Sequence, residues 1–269
     1  MGRGIAQVAA QSGYTTILYD VNETILRQAR VSVEKGLQTL VEKQRMSVAE
    51  KKQAEAAITY TGDLTICRAD LTIEAIAELI EAKTELFRQL EALNPAGSLF
   101  ASNTSSLSVT AIAASLIHPD RIMGMHFFNP APVMKLVELV TTPYTSGYMV
   151  EQLAAVAKKM GKTAVLCKDS PGFIVNRVAR PFYIESLRLA EEGIASYEKM
   201  DHLLESAGFK MGPFRLMDLI GNDINFKVSC SVYEQLGKPP RLRPSHLQEE
   251  KVKNGALGKK TGKGYYNYE

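Results

Sequence analysis

Apolar and polar positions follow two periods along this chain, and the period changes wherever turn residues intervene. Ile5, Val8 and Ala9 recur at helical spacing from the first residues, and Gly13 marks the stop. TTILYD then predicts a short strand that ends in Asp20. Residues 22–57 are rich in Gln, Glu, Lys and Ala and carry an apolar stripe through Ile25, Val33, Leu37, Leu40 and Val41. Ser47 with Glu50 three residues on forms a capping box, so this stretch predicts two helices in a hairpin. Residues 58–61 and 69–76 predict strands. EAIAELIEAKTELFRQLEAL follows as a strongly amphipathic helix, with Glu78 and Lys83 in its first turns. That helix start lies at the carboxyl end of a predicted parallel strand, where sheets of this kind bind ligands. As helix-surface charges the two residues need no such role.

Residues 98–102 predict another short strand, and the polar run SNTSSLSV after it can cap a helix or hold a ligand. Next comes IMGMHFF, an apolar run that reads as a buried strand and ends around His126. A break at Pro130 and Pro132 leads to a returning strand over 135–140 that contains Glu138. If the chain reverses around Pro132, His126 and Glu138 stand six residues to either side and face each other across an antiparallel pair. A histidine held by a carboxylate at one ring nitrogen has a fixed tautomer and suits general-base work near neutral pH. The spacing alone leaves open a strand histidine paired for structure only.

A helix over about 147–160 and a strand, TAVLC, complete the first half, and the composition changes at KDSPGF. From there onward only helical patterns, short loops and a Gly/Lys-rich tail appear, so we divide the chain into a first domain over 1–169 and an all-helical second domain over 170–269. Asn176 falls about one turn into a strongly apolar helix. A buried amide there needs either a partner side chain or a ligand. Pro181 is expected to kink the same helix. Apolar residues in this half exceed what a small helical domain uses, which makes a homodimer through it a reasonable expectation.

Composition narrows the reading further. At 269 residues and 45% hydrophobic content the chain can bury a sizeable core. A formal net charge of +3 with scattered Lys and Arg gives no stripe for nucleic acid. Cys67, Cys167 and Cys230 lie far apart and read as buried thiols of a reducing compartment, and no residue set has metal-ligand spacing. Without a signal peptide or a bilayer-length apolar run, a soluble, cytoplasmic protein is expected.

A helix opened by Gly2, a strand and the terminal acid Asp20 form the later part of a dinucleotide-binding βαβ unit. Gly2 then stands for the third glycine of the fingerprint, where helix and sheet pack closely. Asp20 would accept hydrogen bonds from an adenosine ribose and repel a 2′-phosphate, favouring NAD over NADP. The first strand and the first two glycines of such a unit are absent. The fold expected is therefore α/β, a Rossmann-like domain lacking its first strand, plus the helical domain. Because that strand is normally central, its absence would expose two strand edges, and about ten to fifteen further residues would complete the unit. We expect the sequence to be part of a longer polypeptide.

The ordered motifs MGRGIA, ASNTSSLSV, HFFNPAPVMKLVEL, SPGFIVNR, MGPFRLMDLIG and LGKKTGKGYYNY, with Asp20 between the first two, span essentially the whole chain. Together they resemble the L-3-hydroxyacyl-CoA dehydrogenases, of the bacterial 3-hydroxybutyryl-CoA type. The resemblance implies that His126 is the general base and Glu138 its orienting partner. It implies that Ser105 and Asn176 hold the reacting oxygen and the thioester carbonyl. Asp20 would bind the adenosine ribose of NAD, and Glu78, Lys83 and Asn129 would contact its nicotinamide side. The implied reaction is oxidation of the 3-hydroxyl of an acyl-CoA to a ketone, or the reverse. A C4 substrate comes first. A dicarboxylic 3-hydroxyadipyl-CoA is the alternative, for which Arg180 could meet the distal carboxylate. The rivals are a dehydrogenase of small hydroxy acids without CoA and, should the chain begin at Met1, a cofactor-deficient acyl-CoA-binding protein.

Overall fold

The computed structural model describes residues 1–268. The chain divides into two compact units, the first Met1–Asp169 and the second from Ser170 onward.

The first unit opens with α1 (Gly2–Gln11), β1 (Thr16–Tyr19), α2 (Glu23–Glu42), α3 (Val48–Ala56) and β2 (Ile58–Thr61). It continues with β3 (Leu71–Glu74), α4 (Ile80–Leu93), β4 (Leu99–Ser102) and the short α5 (Val109–Ala113). It ends with β5 (Ile122–Phe127), β6 (Leu136–Thr141), α6 (Gly147–Lys159) and β7 (Thr163–Lys168). The expected helical hairpin is α2–α3. Asn22 caps α2, and the capping box between Ser47 and Glu50 opens α3.

The strands form two sheets. β1 and β2 pair in parallel, and β3-β4-β5-β6-β7 form a five-stranded sheet in that order. Within it only the β5–β6 pair is antiparallel. Among the described strands, β1 and β3 are each paired on one side only.

Alternation along β5 decides what each face carries. Met123, Met125 and Phe127 pack with Ile5, Val8, Met149 and Leu153 of α1 and α6. Ile122 points the other way, into a cluster with Phe87, Phe100 and Ile112. His126 shares that second face by the same alternation. Gly124, between them, permits a close approach: a Cβ there would stand 2.7 Å from Cβ of Val140.

Two expectations are corrected here. The helix predicted from residue 74 begins at Ile80, so Glu78 precedes it and only Lys83 lies in its first turn. Residues 71–74 are still strand, and the Glu74 carboxylate accepts the Ile76 N–H at 2.7 Å, which holds the following residues in a loop. The strand is also shorter than the 69–76 read from the sequence.

The second unit is helical: α7 (Val175–Glu191), α8 (Tyr197–Ser206), α9 (Pro213–Ile220), α10 (Asn222–Gln235) and α11 (His246–Lys253). Its core joins Tyr183 and Leu187 of α7 to Met200, Phe214, Met217 and the tail residue Tyr265. Asn176 is the second residue of α7 rather than a turn inside it, because positive φ angles at Gly172 (74°) and Phe173 (48°) delay the helix start. The helix continues through Pro181.

Of the three cysteines, Cys67 is buried and the other two are partly so. Burial raises each thiol pKa, with nearby carboxylates adding to it, and Cys167 reaches about 11. The thiolate is the reactive form, so native protein near neutral pH should react with a disulfide reagent at least about tenfold more slowly than free glutathione. Rapid labelling of the folded chain would contradict this.

Candidate active site

The antiparallel register pairs His126 directly with Glu138, Met125 with Leu139 and Phe127 with Val137. Because the pair is directly opposed, both side chains leave the same face of the sheet. His126 Nδ1 lies 2.8 Å from Glu138 Oε2, with the two residues 6% and 1% exposed. The imidazole also lies 4.6 Å from the Phe128 ring, centroid to centroid. With Glu138 ionised, the proton of the pair sits on Nδ1, which leaves the lone pair on Nε2.

Ser105 lies on the loop between β4 and α5, and that loop is fastened at several points. The carbonyl oxygen of the Asn103 side chain accepts the Phe127 N–H at 2.8 Å, next to His126 on β5. Glu78 Oε1 accepts the Thr104 hydroxyl at 2.6 Å, the Ser105 N–H at 3.0 Å and the Ser106 N–H at 3.2 Å. Lys83 Nζ sits 3.2 Å from Glu78 Oε2 and 2.6 Å from Glu74 Oε1. Burial acts to raise the Glu78 pKa, but the hydrogen bond from Thr104, the Lys83 charge and the loop amides outweigh it, and the net shift is downward.

The structure thus brings His126 to Glu138, and Glu78 and Lys83 to Ser105. Lys83 is 1% exposed with its ammonium between two carboxylates, a position quite different from a helix-surface charge. Asn129 lies on the exposed β5–β6 connection, preceding a cis peptide to Pro130. Lys162 secures this connection by donating to the carbonyl oxygens of Ala131 (2.5 Å) and Met134 (2.9 Å). Asn176 belongs to the second unit, in the first turn of α7. There Arg180 is 3% exposed and donates to the Asn176 and Asn225 carbonyl oxygens and to the Ser229 hydroxyl. Burial lowers its pKa to about 10.

Asp20 follows β1, and its carboxylate accepts the Asn22 N–H at 2.9 Å. Gly2 starts α1, whose N-terminus has no side-chain cap and so presents backbone N–H groups. The packing reason given for Gly2 is corrected. A Cβ at Gly2 would sit 3.8 Å from Leu18 and 3.9 Å from Ala75, ordinary contact. The tighter glycine is Gly4, where a Cβ would meet Pro132 at 3.2 Å. An uncapped helix start and an acid at the end of the next strand fit a dinucleotide. Sequence reasoning missed Glu74, Ser102, Asn103 and Lys162. Glu74 could have been found, as an acid closing a short strand, LTIE.

Comparison with known proteins gives the family. The 3-hydroxyacyl-CoA dehydrogenase NAD binding domain family matches residues 1–170, and the C-terminal domain family of the same enzymes matches residues 172–268. The chain is 45% identical to the 3-hydroxyadipyl-CoA dehydrogenase of Escherichia coli (strain K12), over 100% of its own length and 57% of that protein's. It is 41% identical to a probable 3-hydroxybutyryl-CoA dehydrogenase of Bacillus subtilis (strain 168), covering 100% of this chain and 94% of the relative. The crystal structure of (S)-3-hydroxybutyryl-CoA dehydrogenase from Ralstonia eutropha superposes with a TM-score of 0.95 at 36% identity, covering 100% and 95% of the two chains. A buried histidine–carboxylate pair on a sheet beside a helix start fit for a dinucleotide, matched along both units, makes this chain a member of the 3-hydroxyacyl-CoA dehydrogenase family.

Proposed function

We propose that this chain oxidises an (S)-3-hydroxyacyl-CoA to the 3-oxoacyl-CoA with NAD, and runs the reverse reduction, with the C4 substrate foremost. The observation that carries this reading is the 2.8 Å contact between His126 and Glu138 in a chain whose first unit is an NAD-binding domain. Glu138 holds the Nδ1 proton, so Nε2 of His126 takes the proton of the substrate hydroxyl. NAD, when bound, supplies the hydride acceptor. Asp20 would take the ribose hydroxyls and the start of α1 at Gly2 the pyrophosphate. Ser105 and Asn176 orient the substrate oxygens, and Asn129 lies toward the nicotinamide side, as do Glu78 and Lys83 through the loop they hold.

NADH consumption with acetoacetyl-CoA tests the reading. Turnover is expected with NADH and much less with NADPH. Asp20→Ala should weaken NADH binding by about tenfold, since two charge-assisted hydrogen bonds are lost, while NADPH binding changes little or improves. Folded protein that binds NADH but reduces no 3-oxoacyl-CoA would overturn the proposal. Turnover faster with 3-oxoadipyl-CoA would favour the dicarboxylic alternative, which the name of the E. coli relative supports. Arg180 offers it little support, as its Nε and Nη1 already donate to protein acceptors.

No described helix is long and apolar enough to cross a membrane. Cytoplasmic residence and a homodimer complete the proposal. The second unit exposes Val178, Ile194 and Leu203 at 71%, 66% and 67%, which favours a partner there. A sedimentation mass of one chain would remove the dimer.

A further inference from the structure

Four residues of the first unit lie at neighbouring register positions on one face of the five-stranded sheet. Glu74 of β3 pairs with Ser102 of β4, Ser102 pairs with Gly124 of β5, and His126 lies two residues beyond Gly124. Glu74 is 2% exposed, yet it belongs to neither the histidine–carboxylate pair nor the loop that carries Ser105. Its two oxygens nevertheless reach that loop by separate routes.

The first route runs through a single hydroxyl. Glu74 Oε2 accepts the Ser102 hydroxyl at 2.7 Å, and Ser102 Oγ accepts the Thr104 N–H at 3.2 Å. The second runs through charge. Glu74 Oε1 holds Lys83 Nζ, Lys83 faces Glu78 Oε2, and Glu78 Oε1 gathers Thr104, Ser105 and Ser106. Asn103, between the two routes, ties the same loop to Phe127 beside His126. Of the two carboxylates that flank the Lys83 ammonium, Glu74 is the nearer and the more deeply buried.

We infer that Glu74 is a positioning residue of this enzyme. By fixing Ser102 and holding the Lys83 side chain against Glu78, it sets the 103–106 loop, and with it Ser105, relative to His126. The inference rests on the dehydrogenase reading above. It also gives Lys83 a different part from direct contact with a ligand: its ammonium acts on the loop through Glu78.

Glu74→Gln keeps the side-chain shape and removes the charge. In acetoacetyl-CoA reduction, kcat per NADH-binding site should fall by about tenfold to a hundredfold, the range expected for displaced reacting groups. The NADH dissociation constant should move by less than about threefold, since Glu74 touches neither the ribose position at Asp20 nor the pyrophosphate position at Gly2. A merely structural residue would lower the melting temperature or the number of NADH-binding sites without changing kcat per site. Because the route runs through Lys83, a Glu74→Gln/Lys83→Met double variant should be no slower than the slower single variant, where independent sites would multiply. If Glu74→Gln does not fold, Ser102→Ala and Lys83→Met read the two routes separately, and each should lower kcat per NADH-binding site. Wild-type kcat in folded Glu74→Gln, or in both substitutes, overturns the inference. His126→Gln in the same assay separates the two failures. Activity that depends on His126 but not on Glu74 removes this inference alone, whereas an inactive wild-type chain removes the dehydrogenase reading beneath it.

Discussion

His126→Gln should lower turnover of acetoacetyl-CoA by about two to four orders of magnitude, the usual contribution of a positioned general acid or base. That corresponds to about 3–5 kcal/mol of barrier. Glutamine fills much of the space of the imidazole but offers no nitrogen that can take and return a proton. Glu138→Gln provides the sharper test of the pair. Its amide can donate as well as accept across the 2.8 Å contact, so it no longer selects the tautomer with the proton on Nδ1. Turnover should fall in this variant too, although the shape is kept and Glu138 is 1% exposed, out of reach of bulk water. Both variants should retain NADH affinity, measured by fluorescence titration, because neither residue is placed at the ribose or pyrophosphate positions. A large loss of NADH affinity with normal turnover of bound substrate would reassign both residues to the cofactor. Glu138→Ala should in addition destabilise the protein by about 1–3 kcal/mol, by withdrawing a buried acceptor.

The legible part of this site was the part set by local period. Two runs of strand-forming residues around Pro132 fixed which residues oppose each other, and one step of register either way would have turned Glu138 to the opposite face. The helix hairpin was readable for a similar reason, since Ser47 and Glu50 carry their own stop and start signal. What escaped depended on contacts distant in sequence. Helical spacing alone ran the Glu74–Leu93 stretch together, because nothing local says that Glu74 will be bound to Ser102, 28 residues on. Lys83 is the exception: its partners Glu74 and Glu78 stand only nine and five residues before it, but the strand end and loop that carry them were read as helix. The α7 start was misread by a turn because Phe173 adopts a positive φ that its residue type does not announce. The glycine that packs tightest near the helix start, Gly4, meets a loop more than 120 residues away, whereas the fingerprint directs attention to Gly2.

Asp218→Ala should be among the most destabilising single substitutions in the second unit, at about 3–5 kcal/mol. Asp218 is 1% exposed and accepts from four donors. Its Oδ1 takes the Asn222 side-chain amide (2.9 Å) and the Tyr265 N–H (3.0 Å), and its Oδ2 takes the Tyr266 N–H (3.0 Å) and the Tyr268 hydroxyl (2.9 Å). The last three belong to the tail motif GKGYYNY, so one carboxylate folds the end of the chain back onto α9. The glycine of that motif has a reason as well: any Cβ at Gly264 would collide with the Asp218 carboxylate. The fold-back places Tyr265 in the core, 7% exposed, with its ring 5.0 Å from Phe214 and 5.1 Å from Tyr197 in edge-on contacts. Truncation therefore strands buried backbone donors and loosens an aromatic cluster at once. Tyr268→Phe removes only one of the four donors and should cost about 1 kcal/mol. For a chain of this size the alanine variant should melt on the order of ten degrees lower, and the phenylalanine variant only a few degrees lower. Limited proteolysis should cut the tail of Asp218→Ala under conditions that leave the wild-type tail intact. Equal melting temperatures for Asp218→Ala and wild type would mean that the tail is docked by the aromatic cluster alone, with the carboxylate adding nothing to its hold.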